Sequence, residues 1–176
     1  TINMFLIASI SISNSLANIC ELIDADWSEI IPAINSDRRI GKFAYLKPGL
    51  GLSGGNLERD LHTIMKYYNS IDRKNNIFNS FLQNSNFNKK WVLRKFRDKK
   101  INDKSIISIL GFTYKPNTNS IKNSPAIYLI KNLSNYNVVG YDPQANISSV
   151  NLNIKIKDSL KRAIKNSEVI ILMTEW

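Results

Sequence analysis

The residues best placed to do chemistry lie in a glycine-rich loop and in the helix start that follows it. Four of the seven glycines fall between positions 49 and 55. Such density indicates a turn that needs positive φ, or a backbone that approaches a ligand closely. Apolar residues then recur at helical spacing, and Asn56 stands where an N-cap side chain would accept a bond from free N–H groups. The pattern predicts backbone donors and partial positive charge at one point, which suits phosphate or another anion.

Taken alone, this loop is explained equally well by a plain tight turn. It does not match the Walker pattern, because no Gly-Lys-Ser/Thr closes it. No predicted strand precedes Gly49, Gly51 and Gly54, although a dinucleotide-binding fingerprint requires one. The loop by itself therefore leaves the ligand open.

Three segments in this region together form a more specific sequence pattern. They are Asp-Arg-Arg-Ile-Gly at 37–41, Tyr-Leu-Lys-Pro-Gly-Leu-Gly at 45–51 and Gly-Gly-Asn-Leu-Glu-Arg-Asp at 54–60. In this order they resemble the UDP-glucose/GDP-mannose dehydrogenase family, whose loop reads roughly Arg-Ile-Gly, then Phe-Leu-x-Pro-Gly-x-Gly, then Gly-Gly-Ser-Cys-Leu-Pro-Lys-Asp. The resemblance implies an oxidoreductase that acts on a UDP- or GDP-hexose and uses NAD.

The resemblance assigns catalytic roles to Asn3, Asn56 and Asp60. Asn56 falls on the family's nucleophilic cysteine, and Asp60 falls on the carboxylate that positions or activates water. The run that starts at Asn14 resembles the family's central helix, and carried back along this helix Asn3 falls on the active-site asparagine. The family's catalytic lysine would lie one turn earlier, before residue 1.

The cysteine that Asn56 replaces has a defined task in that family. The enzymes oxidise a primary alcohol to a carboxylate in two hydride transfers to NAD, and the thiolate captures the intermediate aldehyde as a thiohemiacetal. Such catalysis needs an atom that can bond to carbon and leave again, which an asparagine amide does not provide at a useful rate. The resemblance therefore leaves two expectations: a divergent nucleotide-sugar dehydrogenase, or a non-catalytic relative that binds a nucleotide sugar or dimerises with an active partner.

The resemblance also implies a substrate site. In the family, the arginine of Arg-Ile-Gly, here Arg39, reaches the sugar nucleotide across a subunit interface, and a guanidinium fork suits a pyrophosphate. An ordinary surface loop is the alternative for Arg39. Lys115 follows the first predicted strand of the second half, at the edge where such a sheet binds ligands. The loop contributes Tyr45, Leu46, Lys47, Pro48, Gly49 and Gly54.

For the cofactor, the resemblance points to Lys122, where the family has an arginine. A lysine lacks the forked donor pair of a guanidinium. Nearby, the family's acidic pair is Asn119-Ser120 and its next glutamate is Asn123. Since the family's NAD-binding Rossmann domain has no counterpart in these 176 residues, we expect them alone to have no dehydrogenase activity.

Composition favours an anionic partner and disfavours a metal. The formal net charge is +10 and the isoelectric point is about 9.7, which suits nucleotide sugars, nucleic acid or an acidic surface. The one cysteine, Cys20, lies in an apolar helical pattern, which predicts a buried inert thiol in the reducing cytoplasm. The one histidine, His62, has no cluster of ligands near it, so no metal is expected. No uninterrupted apolar run approaches spanning length, so no membrane is expected either.

Residues 1–100 predict an all-helical domain, and the resemblance implies that it forms a homodimer. A capping box at Asp26 starts a second helix that Pro32 should kink or limit. A third helix covers about 57–69, and residues 71–100 carry two more, broken near 84–88. The first helix, residues 1 to about 24, is expected to be largely buried, with its main stripe on Ile12, Leu16, Ile19, Cys20 and Ile23.

A basic cluster in this domain raises a third interpretation, nucleic-acid binding. Basic patches with interleaved aromatics contact phosphates and stack on bases. Trp91 and Phe96 lie near one helical face beside Val92, however, so core burial is preferred and no nucleic-acid partner is expected. The cluster consists of Lys89, Lys90, Arg94, Lys95, Arg97, Lys99 and Lys100.

From residue 101 strands alternate with helices. Strands are predicted at 106–110, at 138–141, at an edge near 154–156 and at 169–173, with helices from Ser124-Pro125 and around 160–164. This order predicts a parallel, Rossmann-like α/β domain over 101–176 that is truncated at its C-terminus. The segments 110–118, 124–126, 141–143 and 174–176 resemble the family's nucleotide-sugar-binding domain. The fold class is therefore α/β overall, with a helical domain first.

Overall fold

The computed structural model describes residues 1–71, 76–147 and 150–176. They form two compact units, one made of Thr1–Leu52 and Asn56–Asn88, the other of Ser53–Gly55 and Lys89–Trp176. The predicted helical pattern at 72–75 lies outside the described residues. The domain boundary expected at residue 100 stays a prediction.

The first unit is helical in its described residues, with α1 (Ile2–Leu22), α2 (Trp27–Ser36), α3 (Leu57–Tyr68) and α4 (Ile77–Lys89). The Asp26 carboxylate caps α2 by accepting the Ser28 N–H at 2.8 Å, which confirms the predicted helix start. α2 runs on through Pro32 to Ser36. Pro32 therefore does not end this helix, because one proline removes a single intrahelical hydrogen bond. The alternative expectation, a kink at Pro32, stays a prediction.

α1 buries polar side chains beside Ile7 and Ile10 and leaves its main apolar stripe uncovered. Ser13 and Asn14 are 1% and 2% exposed, whereas Ile12 and Ile19 are 58% and 52% exposed. Burial of the predicted stripe is confirmed at Cys20 and is otherwise wrong. The reason is that Ile7 and Ile10 pack in the core of the unit, while Ser13 and Asn14 hydrogen-bond to another segment of it. The uncovered stripe consists of Ile2, Phe5, Ile12, Leu16, Ile19, Leu22 and Ile23.

By length and composition alone, α1 could cross a membrane, with a mean hydropathy of 1.4. Serines and asparagines interrupt the apolar residues of α1, so the expectation that no uninterrupted apolar run approaches spanning length is unaffected. A single such helix near the N-terminus is weak evidence, because core helices of soluble proteins and signal sequences pass the same test. The expectation of no membrane partner stays a prediction.

The hydrophobic core of the first unit includes Leu52, a residue of the glycine-rich loop. Leu52 and Leu61 are at most 1% exposed and pack with Ile7 and Ile10 of α1. Leu52 therefore anchors the loop against α1 and α3.

The second unit begins with α5 (Trp91–Asp98). The interruption between α4 and α5 lies at Lys90, later in the sequence than the predicted 84–88. Val92 and Phe96 are each 6% exposed, and the Phe96 ring meets the Tyr136 ring edge to face at 5.7 Å. The predicted core burial of this helical face is confirmed for both residues.

A four-stranded parallel sheet forms the rest of the second unit. Its elements are β1 (Ile106–Leu110), α6 (Pro125–Asn132), β2 (Asn137–Tyr141), β3 (Lys155–Ile156), α7 (Leu160–Ile164) and β4 (Val169–Leu172). The strand order is β3-β2-β1-β4, so all four predicted strands are present and β3 lies at the edge. The α/β fold class is confirmed. In such sheets, ligands bind beyond the carboxyl ends of the strands where the order switches, here β1 and β4.

Asp142 ties together the turns that follow β1 and β2. Its Oδ2 accepts the N–H groups of Phe112 at 2.6 Å and Thr113 at 3.2 Å. Its Oδ1 accepts those of Gln144 at 2.7 Å and Ala145 at 2.6 Å. One carboxylate thus satisfies four backbone donors at the ligand edge of the sheet.

We predict that Asp142→Ala lowers the free energy of unfolding by about 2–4 kcal/mol, because these donors lose their acceptor. Urea denaturation measures the change. The control is Asp158→Ala, which removes a carboxylate paired with exposed Arg162 on α7 and should have little effect. Equal stability of the two variants would contradict this account of Asp142.

Candidate functional site

Asn3 and Asp60 meet in the first unit although they are 57 positions apart. The Asn3 side-chain amide donates to Asp60 Oδ2 at 2.6 Å. Arg59 Nε and Nη2 donate to the other oxygen, Oδ1, at 3.0 and 2.8 Å. The contact with Arg59 could not be foreseen, because neighbouring residues of a helix do not ordinarily face each other. Both oxygens of the Asp60 carboxylate are therefore engaged.

These contacts favour the charged form of Asp60. The hydrogen bond from Asn3 is the main cause that lowers the pKa of the Asp60 carboxyl, and the hydrogen bond and charge of Arg59 add to it. The first turn of α3 also places this negative charge at the favourable end of the helix dipole. A carboxylate held in this way is a weak proton acceptor and a good orienting group for the Asn3 amide.

Asn56 is the N-cap of α3, as predicted, but its side chain makes no capping bond. Its backbone is helical, with φ −96° and ψ −50°, whereas a capping side chain needs an extended backbone to reach the free N–H groups. The predicted capping bond is therefore wrong. The Asn56 carbonyl accepts the Asp60 N–H at 2.9 Å, and the residue is exposed to solvent.

The segment 45–49 has no regular secondary structure and is held by side chains of α1 and α2. Lys47 is exposed and Pro48 half-buried within it. The segment cannot shift without breaking these bonds, so its backbone position is fixed. The bonds run from Ser13 Oγ to Tyr45 O (3.3 Å), from Trp27 Nε1 to Leu46 O (2.9 Å) and from Gly49 N to Asn14 Oδ1 (2.7 Å).

Arg39 lies in an exposed turn after α2, with its side chain 90% exposed. Its Nη2 donates to Asp37 Oδ2 at 2.6 Å and its Nε donates to Asp37 Oδ1 at 3.0 Å. The hydrogen bonds from Arg39 lower the pKa of the Asp37 carboxyl. An anionic ligand of Arg39 would have to compete with this carboxylate.

In the second unit, Tyr114 and Lys122 lie close to the backbone of Ser53–Gly55. A Cβ on Gly54, which has φ +74°, would lie 2.9 Å from the Tyr114 ring, and a Cβ on Gly55 would lie 2.8 Å from side-chain carbons of Lys122. Lys115 Nζ is 5.7 Å from the centroid of the same Tyr114 ring. The contact between Tyr114 and Gly54 was missed from the sequence, although an aromatic residue beside Lys115 was a visible signal.

The described residues place no cysteine and no cluster of metal ligands at this site. Cys20 is 6% exposed within α1. Among the residues that the structure describes, no group of three or more His, Cys, Asp or Glu side chains could hold a metal ion. Within the described residues, the side chains to which the resemblance assigns catalytic roles are the carboxamides of Asn3 and Asn56 and the carboxylate of Asp60.

We predict that Asn3→Ala raises the pKa of the Asp60 carboxyl toward its usual value, because the main stabilising hydrogen bond is lost. A pKa that is lower in the folded state stabilises the fold above the ordinary carboxyl range, and this contribution is lost as pH falls through the lowered pKa. Side-chain carboxyl NMR measures the pKa, with Asp37 as the internal control. An unchanged Asp60 pKa in the variant would rule out the contact with Asn3 as its cause.

Family profiles match nearly the whole chain. Residues 1–87 match the UDP-glucose/GDP-mannose dehydrogenase family, central domain, and residues 108–176 match the UDP binding domain of the same family. A UDP-glucose 6-dehydrogenase of Haloferax volcanii is 32% identical over 178 residues, covering 99% of this chain and 41% of the relative. A UDP-glucose 6-dehydrogenase of Rickettsia bellii is 34% identical over 186 residues, covering 99% and 42%.

The fold agrees with these matches. The solved structure of a UDP-glucose dehydrogenase from the hyperthermophilic archaeon Pyrobaculum islandicum is similar with a TM-score of 0.90 at 20% identity, covering 99% of this chain and 41% of that one. The chain spans about two fifths of the length of the curated relatives that it matches. Over that span, the order of its segments, its fold and both family profiles agree: the chain belongs to the UDP-glucose/GDP-mannose dehydrogenase family.

Proposed function

We propose that the protein carrying this chain is an NAD-dependent oxidoreductase that acts on the primary alcohol of a UDP- or GDP-hexose and has diverged at the nucleophile. The observation that carries the proposal is the 2.6 Å hydrogen bond between Asn3 and Asp60. Two residues with assigned catalytic roles meet there from separate helices. The curated relatives named above, both called UDP-glucose 6-dehydrogenase, support the same substrate class.

The nucleotide sugar is proposed to contact the fixed segment 45–49, together with Gly54 and the cations of Arg39 and Lys115. Fixed backbone groups can bind sugar hydroxyls and phosphate oxygens with little loss of conformational freedom. Exposed cations suit the pyrophosphate, and a net charge of +10 draws an anionic ligand to the protein.

At the reacting carbon, this chain would work through hydrogen bonds. Asn3 gives one N–H to Asp60 and keeps its carbonyl and its other N–H for a sugar hydroxyl or a water molecule. Asn56 can hydrogen-bond an alcohol, an aldehyde or a hydrate, but its amide cannot form the covalent adduct of a thiolate. The proposed reaction therefore stops at the aldehyde or oxidises a hydrate without a covalent intermediate.

NAD supplies the hydride acceptor when it is bound. In the described part of the chain, Lys122 is the proposed contact for it, because the resemblance assigns that position to the cofactor. The Lys122 side chain is exposed and lies against the Gly55 backbone, so its ammonium can meet a phosphate. A lysine offers a point charge there, without the two-pronged contact of a guanidinium.

A second candidate function is binding without catalysis. It is favoured by Asn56, whose amide cannot form a covalent adduct. Asn119, Ser120 and Asn123 also favour binding without catalysis, because these neutral residues stand where the resemblance places acidic residues of the family. In this alternative the protein holds a nucleotide sugar, or pairs with an active subunit, without turning over.

The number of NADH molecules formed per sugar separates the candidates. We predict one or two per nucleotide sugar for the full-length protein if it is an enzyme, and none if it only binds. Asn56→Cys should raise turnover, because it restores a group that can bond covalently to the aldehyde carbon.

The matched control is Asn86→Cys, which makes the same change at an exposed position of α4 and should leave turnover unaltered. Binding of a nucleotide sugar with no NADH from either the wild type or Asn56→Cys would establish the binding protein instead. Binding of an oligonucleotide in preference to the nucleotide sugar would refute both candidates.

We also propose that the protein is a cytoplasmic homodimer and that the uncovered stripe of α1 meets the same stripe of a second copy. The stripe recurs at intervals of three, four and seven residues, the spacing of an apolar face on a straight or gently coiled helix. Its members are between 40% and 84% exposed, and an isologous pairing would bury them on both subunits.

We predict that Leu16→Glu weakens dimerisation by at least about tenfold, because a carboxylate would be buried at the centre of the stripe without a partner. Sedimentation equilibrium measures the dissociation constant. Leu160→Glu makes the same change at an exposed apolar position of α7 and serves as the control. Loss of the dimer in the control alone, or a wild type that is monomeric at every concentration, would exclude this interface.

A further inference from the structure

Two buried side chains outside the assigned site fasten the glycine-rich loop to the first unit. Asn14 Oδ1, on α1, accepts the Gly49 N–H at 2.7 Å. Ser85 Oγ, on α4, accepts the Leu52 N–H at 2.9 Å. Asn14 is 2% exposed and Ser85 is 1% exposed. Two backbone groups of the loop are thus fixed by two different helices.

The Asn14 carboxamide does not suit its place as a core residue. Its Nδ2 is buried and meets no acceptor among the described residues. A buried donor without a partner destabilises the folded state, and an apolar side chain of similar volume would not carry that cost. The asparagine therefore contributes something other than stability, and its hydrogen bond goes to the loop.

The contact between Ser85 and the loop is unusually close. Gly51 has φ +79°, and a Cβ there would lie 2.5 Å from the Ser85 carbonyl oxygen and 2.8 Å from its Oγ. Only a glycine allows this approach. It brings the Leu52 N–H within reach of the hydroxyl.

We propose that Asn14 and Ser85 are positioning residues that preset the glycine-rich loop for its ligand. The proposal rests on the proposed function, which makes that ligand a nucleotide sugar. Both side chains are too buried to meet the ligand themselves. They act through Gly49, the last residue of the fixed segment 45–49, and through Leu52, which lies between that segment and Asn56. A preset backbone binds more tightly because it loses less freedom on binding.

The test uses Asn14→Leu and Ser85→Ala. Amide hydrogen exchange over residues 45–52 reports the order of the loop, and calorimetry with UDP-glucose and GDP-mannose reports the dissociation constant. Each variant should speed exchange at its own loop amide and raise the dissociation constant by about two- to tenfold, the range for one lost hydrogen bond. Asn14→Asp, which keeps an acceptor for the Gly49 N–H, should preserve the slow exchange of that amide.

Asn18→Leu and Asn84→Ala are the matched controls. They lie on the same two helices, and their side chains bond to Asn88 and Ser15 rather than to the loop. They should leave both measurements unaltered. Unchanged exchange over 45–52 in Asn14→Leu and Ser85→Ala, or equal changes in the controls, would overturn the proposal. If the wild type bound neither sugar, the proposed function would fail, whereas the exchange rates would still decide the positioning.

Discussion

The glycine-rich loop passes α4 at a distance that admits no side chain at position 51. A Cβ there would lie 2.5 Å from a backbone oxygen, well inside van der Waals contact. This close passage lets Leu52 enter the core of the first unit and lets Ser85 take its N–H. Because Leu52 of the loop and Leu61 of α3 pack in the same core, the loop and the helix that carries Asp60 are anchored in one cluster.

The electrostatics of this helix start follow from that placement. Asp60 sits in the first turn of α3, and its two oxygens take hydrogen bonds from Asn3 and Arg59. Each bond favours the carboxylate over the acid, so the pKa of the Asp60 carboxyl is lowered and its negative charge persists to a lower pH than that of an ordinary aspartate. The charge orients the Asn3 amide, and the neighbouring Asn56 carries an exposed carboxamide. The described side chains at this helix start therefore offer hydrogen-bonding groups around one carboxylate.

Local sequence patterns predict much of the fold. Apolar spacing, the capping residues Asp26 and Ser124, and the short apolar runs of the sheet are properties of neighbouring residues, so the sequence predicts most helices and all four strands. The face of α1 that is buried could not be predicted, because the partners of its serines and asparagines lie about 30 to 70 positions away. A rule that buries apolar residues chooses the wrong face when distant hydrogen bonds decide.

In the candidate site, too, some features could be predicted from the sequence and others could not. Asn3 and Asp60 were placed in one site by resemblance to a family pattern, and the structure brings them into contact. The missing capping bond of Asn56 and the fork of Arg59 onto Asp60 depend on backbone angles and side-chain directions that residue types alone do not determine. Asn14 and Ser85 were not recognised as holding the loop, because a buried asparagine or serine in a helix has no sequence signature.

The claim that the glycine-rich loop receives a nucleotide sugar is tested most directly by backbone amide chemical shifts during titration with UDP-glucose and GDP-mannose. The account predicts saturable shifts concentrated at residues 45–60 with at least one of the two ligands. Shifts confined to the basic segment 89–100, or no shifts with either ligand at millimolar concentration, would contradict it.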